Sequence, residues 1–368
     1  MSTLETNSIG KYSGNNVSID DALNLKSYDT AGRNALTSVA GDMIYNTTDN
    51  KVQVYNGSAW QDLGGVEAIQ VEFAIVAGGG SGGGGGAKGA GGGGAGGYRS
   101  NFSSDNTGGG VSTEPNLFLA LNSNYTISIG AGGVGVNTNY TGGSGTDTTF
   151  ATITANGGGA GGVRSGSAQS GGCGGGAGGG TADGNGKGGG ASGTPGQGFE
   201  GGGGNWSNLR MGGGGGTGGK GYFMDTDAGE NGGEGTISTI LTSSQATTYS
   251  VGEVSGTDVY FGGGGGSSRK YGDPAQGTSS VDGTGGLGGG GNGYGPSDAE
   301  DATANTGGGG GGTANGYGGN GGSGVVIIRF PDTNNISGLT GLTYSNFTSG
   351  GYKYYIFTQG ASSTVQFS

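Results

Sequence analysis

The chain has no histidine and a single cysteine among its 368 residues. The first absence removes every imidazole general base, catalytic triad and histidine-ligated metal site. The second excludes an intrachain disulfide. Proline is scarce, at five residues, and glycine does not recur at every third position, so a collagen triple helix is excluded as well. Charge is sparse: 14 Lys and Arg stand against 26 Asp and Glu, a net of −12. Phosphate-backbone binding runs on Lys and Arg, so nucleic acid is not an expected partner. No stretch approaches eighteen apolar residues, which leaves no candidate membrane-spanning helix and no expected membrane insertion. The first nine residues lack the basic and apolar regions of a signal peptide. Leu, Ile, Val and Phe together make only about 15% of the chain, below the roughly 20% under which a core is hard to build.

What is abundant is glycine, 105 residues of it, concentrated in residues 78–324. This tract opens off the apolar run Val71-Glu72-Phe73-Ala74-Ile75-Val76-Ala77 and closes into Val325-Val326-Ile327-Ile328-Arg329-Phe330. Both runs carry the strand signal, and the second is apolar enough to be buried on both faces. Polyglycine costs more backbone entropy to order than any other sequence, so the tract is either disordered or held by a dense backbone hydrogen-bond lattice. Flexible linkers lack the aromatics that interrupt these runs, among them Tyr98, Phe102, Phe199, Trp206, Tyr222, Phe223, Tyr260, Phe261, Tyr294 and Tyr317. The ordered form has a physical description. Glycine takes an extended three-fold helix, rising about 3.1 Å per residue, whose N–H and C=O groups all point outward and need partners. Without Cβ atoms, neighbouring helices approach until their backbones bond. The reading taken is therefore an all-β chain whose core carries packed polyglycine-II helices. Cys173, between glycines, reads as a small residue tolerated in that lattice.

Four segments follow. Residues 1–27 read as an extended attachment arm that includes a short helical turn near Ile19–Leu25, too short to hold alone. Residues 28–65 read as a small α+β oligomerisation module: a helix over Tyr28–Leu36 capped by Asp29 or Thr30, a hairpin of Met43–Asn46 with Lys51–Tyr55, and a third strand at Ala59–Leu63. Residues 66–335 are the glycine-rich β domain, and 336–368 a C-terminal β-hairpin completing its sheet. Strands are expected at 71–77, 124–130, 148–155, 325–330 and 352–358, with a further pair at 236–241 and 247–251.

The residues also carry a resemblance. Ala40-Gly41-Asp42-Met43-Ile44-Tyr45-Asn46, followed by Lys51 through Trp60, resembles a module of tail-fibre and other virion structural proteins of tailed bacteriophages. Residues 71–80, 125–133, 147–158 and 322–330 resemble the glycine-rich domain of the same class. What the resemblance implies is a jelly-roll-like β core with packed polyglycine helices, similar to phage adhesins that cap fibre tips. It also implies a virion location, a homotrimer, and attachment to other virion proteins through residues 1–63. Residues 350–358 and 364–367 look like a segment that precedes the strand corresponding to 71–77 in similar proteins. Here it follows the closing strand, so it is expected to complete the sheet in cis or on a neighbouring subunit.

Chemistry finds little support. Residues 78–83 satisfy a dinucleotide fingerprint, but the glycines that follow cannot form the helix it requires. Residues 214–220 begin a phosphate-loop pattern, yet Gly221 stands where Ser or Thr must bind magnesium. Asp225, Asp227, Glu230 and Glu234, and likewise Asp298, Glu300 and Asp301, are close enough in sequence for calcium but lack the EF-hand spacing; solvated loops are expected. No cofactor, metal or catalytic residue is assigned, and the chain is not expected to be an enzyme. Binding is the expectation. The interruptions must emerge where helices turn, and they supply Tyr98, Arg99, Phe102, Arg164, Trp206, Arg210, Tyr222, Phe223, Arg269, Tyr271 and Tyr294, residue types enriched in hot spots. A host surface glycan or outer-membrane protein is the expected receptor. The alternative is a structural virion part such as a capsid decoration or head fibre. Ser267 is placed among the solvated tips.

Overall fold

The computed structural model describes residues 25–63, 67–85, 89–103, 105–137, 141–163, 167–179, 187–205, 211–223, 229–269 and 282–368. The chain divides into two units, 1–67 and 68–368. In the first, β1 (Ser27–Tyr28) precedes α1 (Thr30–Asn34), then β2 (Met43–Asn46), β3 (Lys51–Tyr55) and β4 (Trp60–Asp62). They form one sheet in that order. Asp29 caps α1 by accepting from the Gly32 N–H, which fixes the start of the helix; it ends at Asn34, five residues in all. Asn46 is buried and ties β2 to its turn. Its Oδ1 accepts from the Thr48 and Asp49 N–H groups, and its Nδ2 donates to Asp49 and Gln53.

The second unit is a β structure around two long central strands. Its first strands are β5 (Ala68–Val76), β6 (Tyr98–Ser100), β7 (Leu117–Ala120), β8 (Asn124–Ser128), β9 (Thr148–Phe150) and β10 (Ile153–Ala155). A two-residue ladder joins β11 (Lys187–Gly188) to β12 (Gly204–Asn205). Then come β13 (Thr236–Ser238), α2 (Ser243–Tyr249), β14 (Glu253–Ser255), β15 (Asp258–Phe261), β16 (Val325–Pro331), β17 (Ile336–Ser337), β18 (Thr343–Ser349), β19 (Tyr352–Gln359) and β20 (Ser363–Phe367). One sheet runs β18-β19-β16-β5-β6, with β7 paired to the first half of β5, and another runs β10-β9-β8-β20-β17.

Alternation decides what each strand buries. Val71, Phe73 and Ile75 of β5, Val326, Ile328 and Phe330 of β16, and Phe357 of β19 face the second sheet, meeting Ile127, Phe150, Val365 and Phe367. Ala74, Val76, Val325, Ile327 and Ile356 face the other way, onto α2 and the β13-β15-β14 sheet through Ile240, Leu241, Ala246, Val251 and Phe261. The second half of β5 and the first half of β16 are thus buried on both faces, as the unbroken apolar runs 73–77 and 325–328 require, while Glu72 and Arg329 pair beyond them. Burial of this kind stabilises by roughly 1.5–3 kcal/mol per large side chain, so a chain poor in apolar residues concentrates them here.

Three expectations about strands are corrected. The segment 148–155 is not one strand: Ala151, at φ 52°, turns β9 back into β10. Residues 247–251 are not a strand either, because Thr242 and Gln245 form a capping box that starts α2, and Thr247 and Thr248 spend their hydroxyls on the carbonyls of Ser243 and Ser244. The C-terminal segment is not one hairpin in one sheet. β19 joins the first sheet between β16 and β18 through a turn at Gly350 (φ 60°) and Gly351 (φ 82°), a geometry glycine permits at both positions. β20 then crosses to the second sheet, between β8 and β17, and carries Phe367 against Phe330 at 5.2 Å.

Between the strands the glycine tract is ordered, and its hydrogen bonds have a three-residue period. In residues 77–83, the N–H groups of Ala77, Gly80 and Gly83 donate to the carbonyls of Gly97, Gly94 and Gly91. Those of Gly78 and Ser81 reach Thr146 and Gly143, and those of Gly79 and Gly82 reach Gly322 and Gly319. Each third residue returns to the same neighbour, displaced by three, which is the signature of a three-fold helix bonding in three directions. Residues 91–97 show the complete arrangement. Their N–H groups bond to 156–162, 212–215 and 307–310, and their carbonyls accept from 77–83, 173–176 and Gly265, so six neighbours surround this helix. Close approach requires glycine: a Cβ at Gly79 would lie 1.9 Å from the Gly308 carbonyl oxygen, and one at Gly214 would lie 1.9 Å from that of Gly93. The side chains that do enter are small, among them Ala95, Ala160, Ala177 and Cys173, all fully buried. Ser267 is also fully buried, not solvated as expected. Its hydroxyl accepts from the Glu230 N–H and donates to the Met211 carbonyl.

Candidate binding surface

The polyglycine helices start and stop at two ends. Ala77, Gly97 and Gly324 sit where the tract joins β5, β6 and β16, and the bonding register places Gly83, Gly91, Ser268 and Thr313 together at the other end. Residues 77–83 at about 3.1 Å each set that outer end roughly 20 Å from the sandwich. Tyr222, Phe223 and Tyr294 emerge there and are exposed at 48, 38 and 45%. Arg269 follows Ser268 at the same level; its N–H donates to Asp282 Oδ1 at 2.8 Å, and its Nε lies 3.8 Å from Oδ2. Tyr317 joins them, exposed at 53%, with its N–H donating to Asp298 Oδ1. It was not among the expected site residues, although its place between glycines is the same signal as that of Tyr294.

Three expected site residues are elsewhere. Tyr98 is buried against Phe261 at a centroid distance of 6.1 Å, and burial pushes its hydroxyl pKa up. Arg99 pairs with Glu114 beside the Thr154 carbonyl. Phe102 lies under the Arg329 guanidinium, which is held between the rings of Phe102 and Tyr352 at 4.3 and 4.2 Å and bonded to Glu72. The run Tyr98–Phe102 contains β6, which is paired to β5, so Tyr98 and Phe102 belong to the core while Arg99 stays partly exposed on its Glu114 partner. Arg164, Trp206, Arg210 and Tyr271 lie outside the described residues, as do Asp225, Asp227 and residues 1–24.

Of the acids expected in solvated loops, Glu230 is instead buried, and Asp298 and Asp301 have a backbone role shared with two asparagines. At the rim of the lattice no further helix docks among the described residues, and side-chain oxygens accept in place of carbonyls. Asp298 Oδ1 accepts from Tyr317, Asp301 Oδ1 from Asn320, Asn231 Oδ1 from Thr284, and Asn292 Oδ1 from Gly285, all at 2.7–2.8 Å. Among the described residues no group of three or more carboxylates or thiols converges on a metal-sized site. Cys173 is buried, with its Sγ 3.9 Å from the Gly96 carbonyl oxygen, and burial pushes its thiol up to about 12.

Two rim helices and their neighbour enclose a groove of about 440 Å³ lined by Asp282, Thr284, Asn292, Tyr294, Asp298 and Glu300. Its floor is glycine: a Cβ at Gly293 would lie 2.1 Å from the Ser267 carbonyl oxygen. Over residues 53–331 the chain matches a family model described as a glycine-rich domain. It belongs to that family. The matched span of this glycine-rich domain includes β5, β16 and every polyglycine helix between them. No curated protein matches the chain. Within the domain, the outer end is where four exposed aromatics, an arginine and a concave surface coincide, Phe118 and Tyr344 being exposed on β7 and β18 instead; no described helix is long and apolar enough to cross a membrane.

Proposed function

We propose that the chain is a virion structural protein of a tailed bacteriophage, acting as a tail-fibre or fibre-tip adhesin that meets the host cell surface through the outer end of its polyglycine bundle. The observation that carries this reading is the gathering of Tyr222, Phe223, Arg269, Tyr294 and Tyr317 at one end of a rigid backbone lattice, remote from the sandwich. Loops on a stiff scaffold present binding residues at low entropic cost, because the scaffold holds their ends fixed. The resemblance of residues 40–60 to tail-fibre modules supplies the setting. Residues 1–63 hold too little apolar surface to stand alone and serve to attach and trimerise the chain on other virion proteins. The receptor is a host glycan or outer-membrane protein. Immunogold labelling of virions carrying this chain is expected to mark the fibre tip, and the purified protein is expected to block adsorption. Label confined to the head with no blocking would overturn the reading. One observation favours a purely structural virion part instead: of the expected contact residues, Tyr98 and Phe102 are buried in the core and Arg99 is paired with Glu114.

A further inference from the structure

The rim groove has a specific chemistry. Glu300 Oε2 accepts from Asn292 Nδ2 at 2.7 Å and Asn292 Oδ1 accepts from the Gly285 N–H, so the pair is locked in place while Oε1 has no partner among the described residues. Asp298 is arranged likewise, with Oδ1 on the Tyr317 N–H and Oδ2 without a partner there. The Thr284 hydroxyl also lacks one, and its backbone N–H is held by Asn231. Asp298 therefore spends one oxygen on the lattice and Glu300 one on Asn292, and each keeps its other oxygen unspent among the described residues, as the Thr284 hydroxyl is. Tyr294 adds a ring exposed at 45% on a fixed backbone, its N–H bonded to the Gly312 carbonyl. It makes no stacking contact with another described ring.

These features select a ligand. The unspent groups are mostly acceptors, which calls for a ligand rich in hydroxyl donors. Asp282 is matched by Arg269, but Asp298 and Glu300 have no cation beside them among the described residues, so the described lining carries unmatched negative charge, which disfavours anions. A bound cation is disfavoured because the free oxygens do not converge. The Tyr294 ring offers an electron-rich face to C–H groups. A volume of about 440 Å³ falls within the roughly 300–1,000 Å³ of small-ligand sites and admits a short oligosaccharide segment. Resting on the adhesin reading for its biological setting, we infer that this groove is a binding site for neutral, uncharged glycans. Sialylated, uronic or phosphorylated sugars are excluded.

The test uses the full chain on a printed panel of neutral glucose, galactose and N-acetylglucosamine oligosaccharides beside sialylated and uronic-acid counterparts. Retention is expected on neutral members only. Tyr294→Ala and Glu300→Gln are each expected to weaken it at least tenfold with an unchanged melting temperature. Glu300→Gln keeps the shape and removes a charge, so it should also narrow the gap between neutral and acidic members. Equal retention of acidic glycans, retention of none of the neutral ones, or variants that bind like the parent would overturn the inference. Host-cell adsorption separates it from the broader reading: cells bound equally by parent and double variant sink the groove and leave the adhesin, whereas cells bound by neither remove the adhesin itself.

Discussion

Adding a single methyl group at Gly264 tests whether the lattice is what holds the domain. The new Cβ would lie 2.2 Å from the Gly214 carbonyl oxygen and 2.7 Å from its carbon, where nothing below about 3 Å is tolerated. The two helices must separate by about 1 Å. They are joined by the Gly214 N–H to the Gly265 carbonyl at 2.8 Å and the Thr217 N–H to the Gly262 carbonyl at 2.9 Å. A 1 Å displacement stretches both beyond hydrogen-bond range. Each bond lost in a buried setting costs about 1–3 kcal/mol, since its groups find no water. Two bonds come to about 2–6 kcal/mol, offset by about 0.4–1 kcal/mol from the stiffer unfolded chain. The net, roughly 2–5 kcal/mol, is a large share of the 5–15 kcal/mol that holds a typical domain. Gly264→Ala should lower the melting temperature by roughly 5–15 °C in calorimetry, and Gly264→Leu should prevent folding. The control is Gly189→Ala, where a Cβ meets nothing within 4 Å and the variant should be neutral or slightly stabilised. Equal melting of Gly264→Ala and Gly189→Ala would refute a close-packed backbone lattice.

The remaining predictions address the core and the thiol. Asn101 continues the sheet where β6 ends: its Oδ1 accepts from the Phe73 N–H at 2.6 Å and its Nδ2 donates to the Val71 carbonyl at 3.0 Å. Asn101→Ala strands both groups and should cost about 2–6 kcal/mol by denaturant titration; a loss under 1 kcal/mol would show that another group takes them. The Cys173 thiol stays neutral in the fold because burial raises its pKa from 9.0 to about 12, so its contribution to stability is complete below pH 9.0 and lost as pH rises toward 12. Cys173→Ala should shrink the alkaline fall in denaturation midpoint across that window, Tyr98 accounting for part of what remains, and native protein should resist iodoacetamide at pH 8 until unfolded. Ending the chain after Phe330 removes Phe357, Val365 and Phe367, all buried, and uncovers the β16 edge. Insoluble protein is expected; a soluble, folded product would make the C-terminal strands an appendage.

Sequence alone determined the framing of the domain and the character of its middle. Residues 73–77 and 325–328 are apolar at successive positions, and such a run has no stable place except between two layers. Unbroken glycine with almost no charge or proline leaves only backbone groups to bond, so order had to mean helices bonding sideways. Asp29 as a cap and the hairpin after Asn46 were legible for the same reason, since they rest on residues close in the chain. What only tertiary structure decided depends on partners far away in sequence. Tyr98 and Phe102 have the composition of contact loops, and it is pairing of β6 to β5 that turns them inward. Ser267 is polar and flanked by glycine, yet its level in the lattice puts Glu230 and Met211 around it. Asp298 and Asp301 look like free acids until helix 317–322 is laid beside them, three residues apart on both sides. β20 could complete either sheet by its alternation, and the Phe330–Phe367 contact across the core selects the second. Glycine supplies no side-chain pattern from which to read register, so which helix neighbours which is set by where the strands release and recapture the chain.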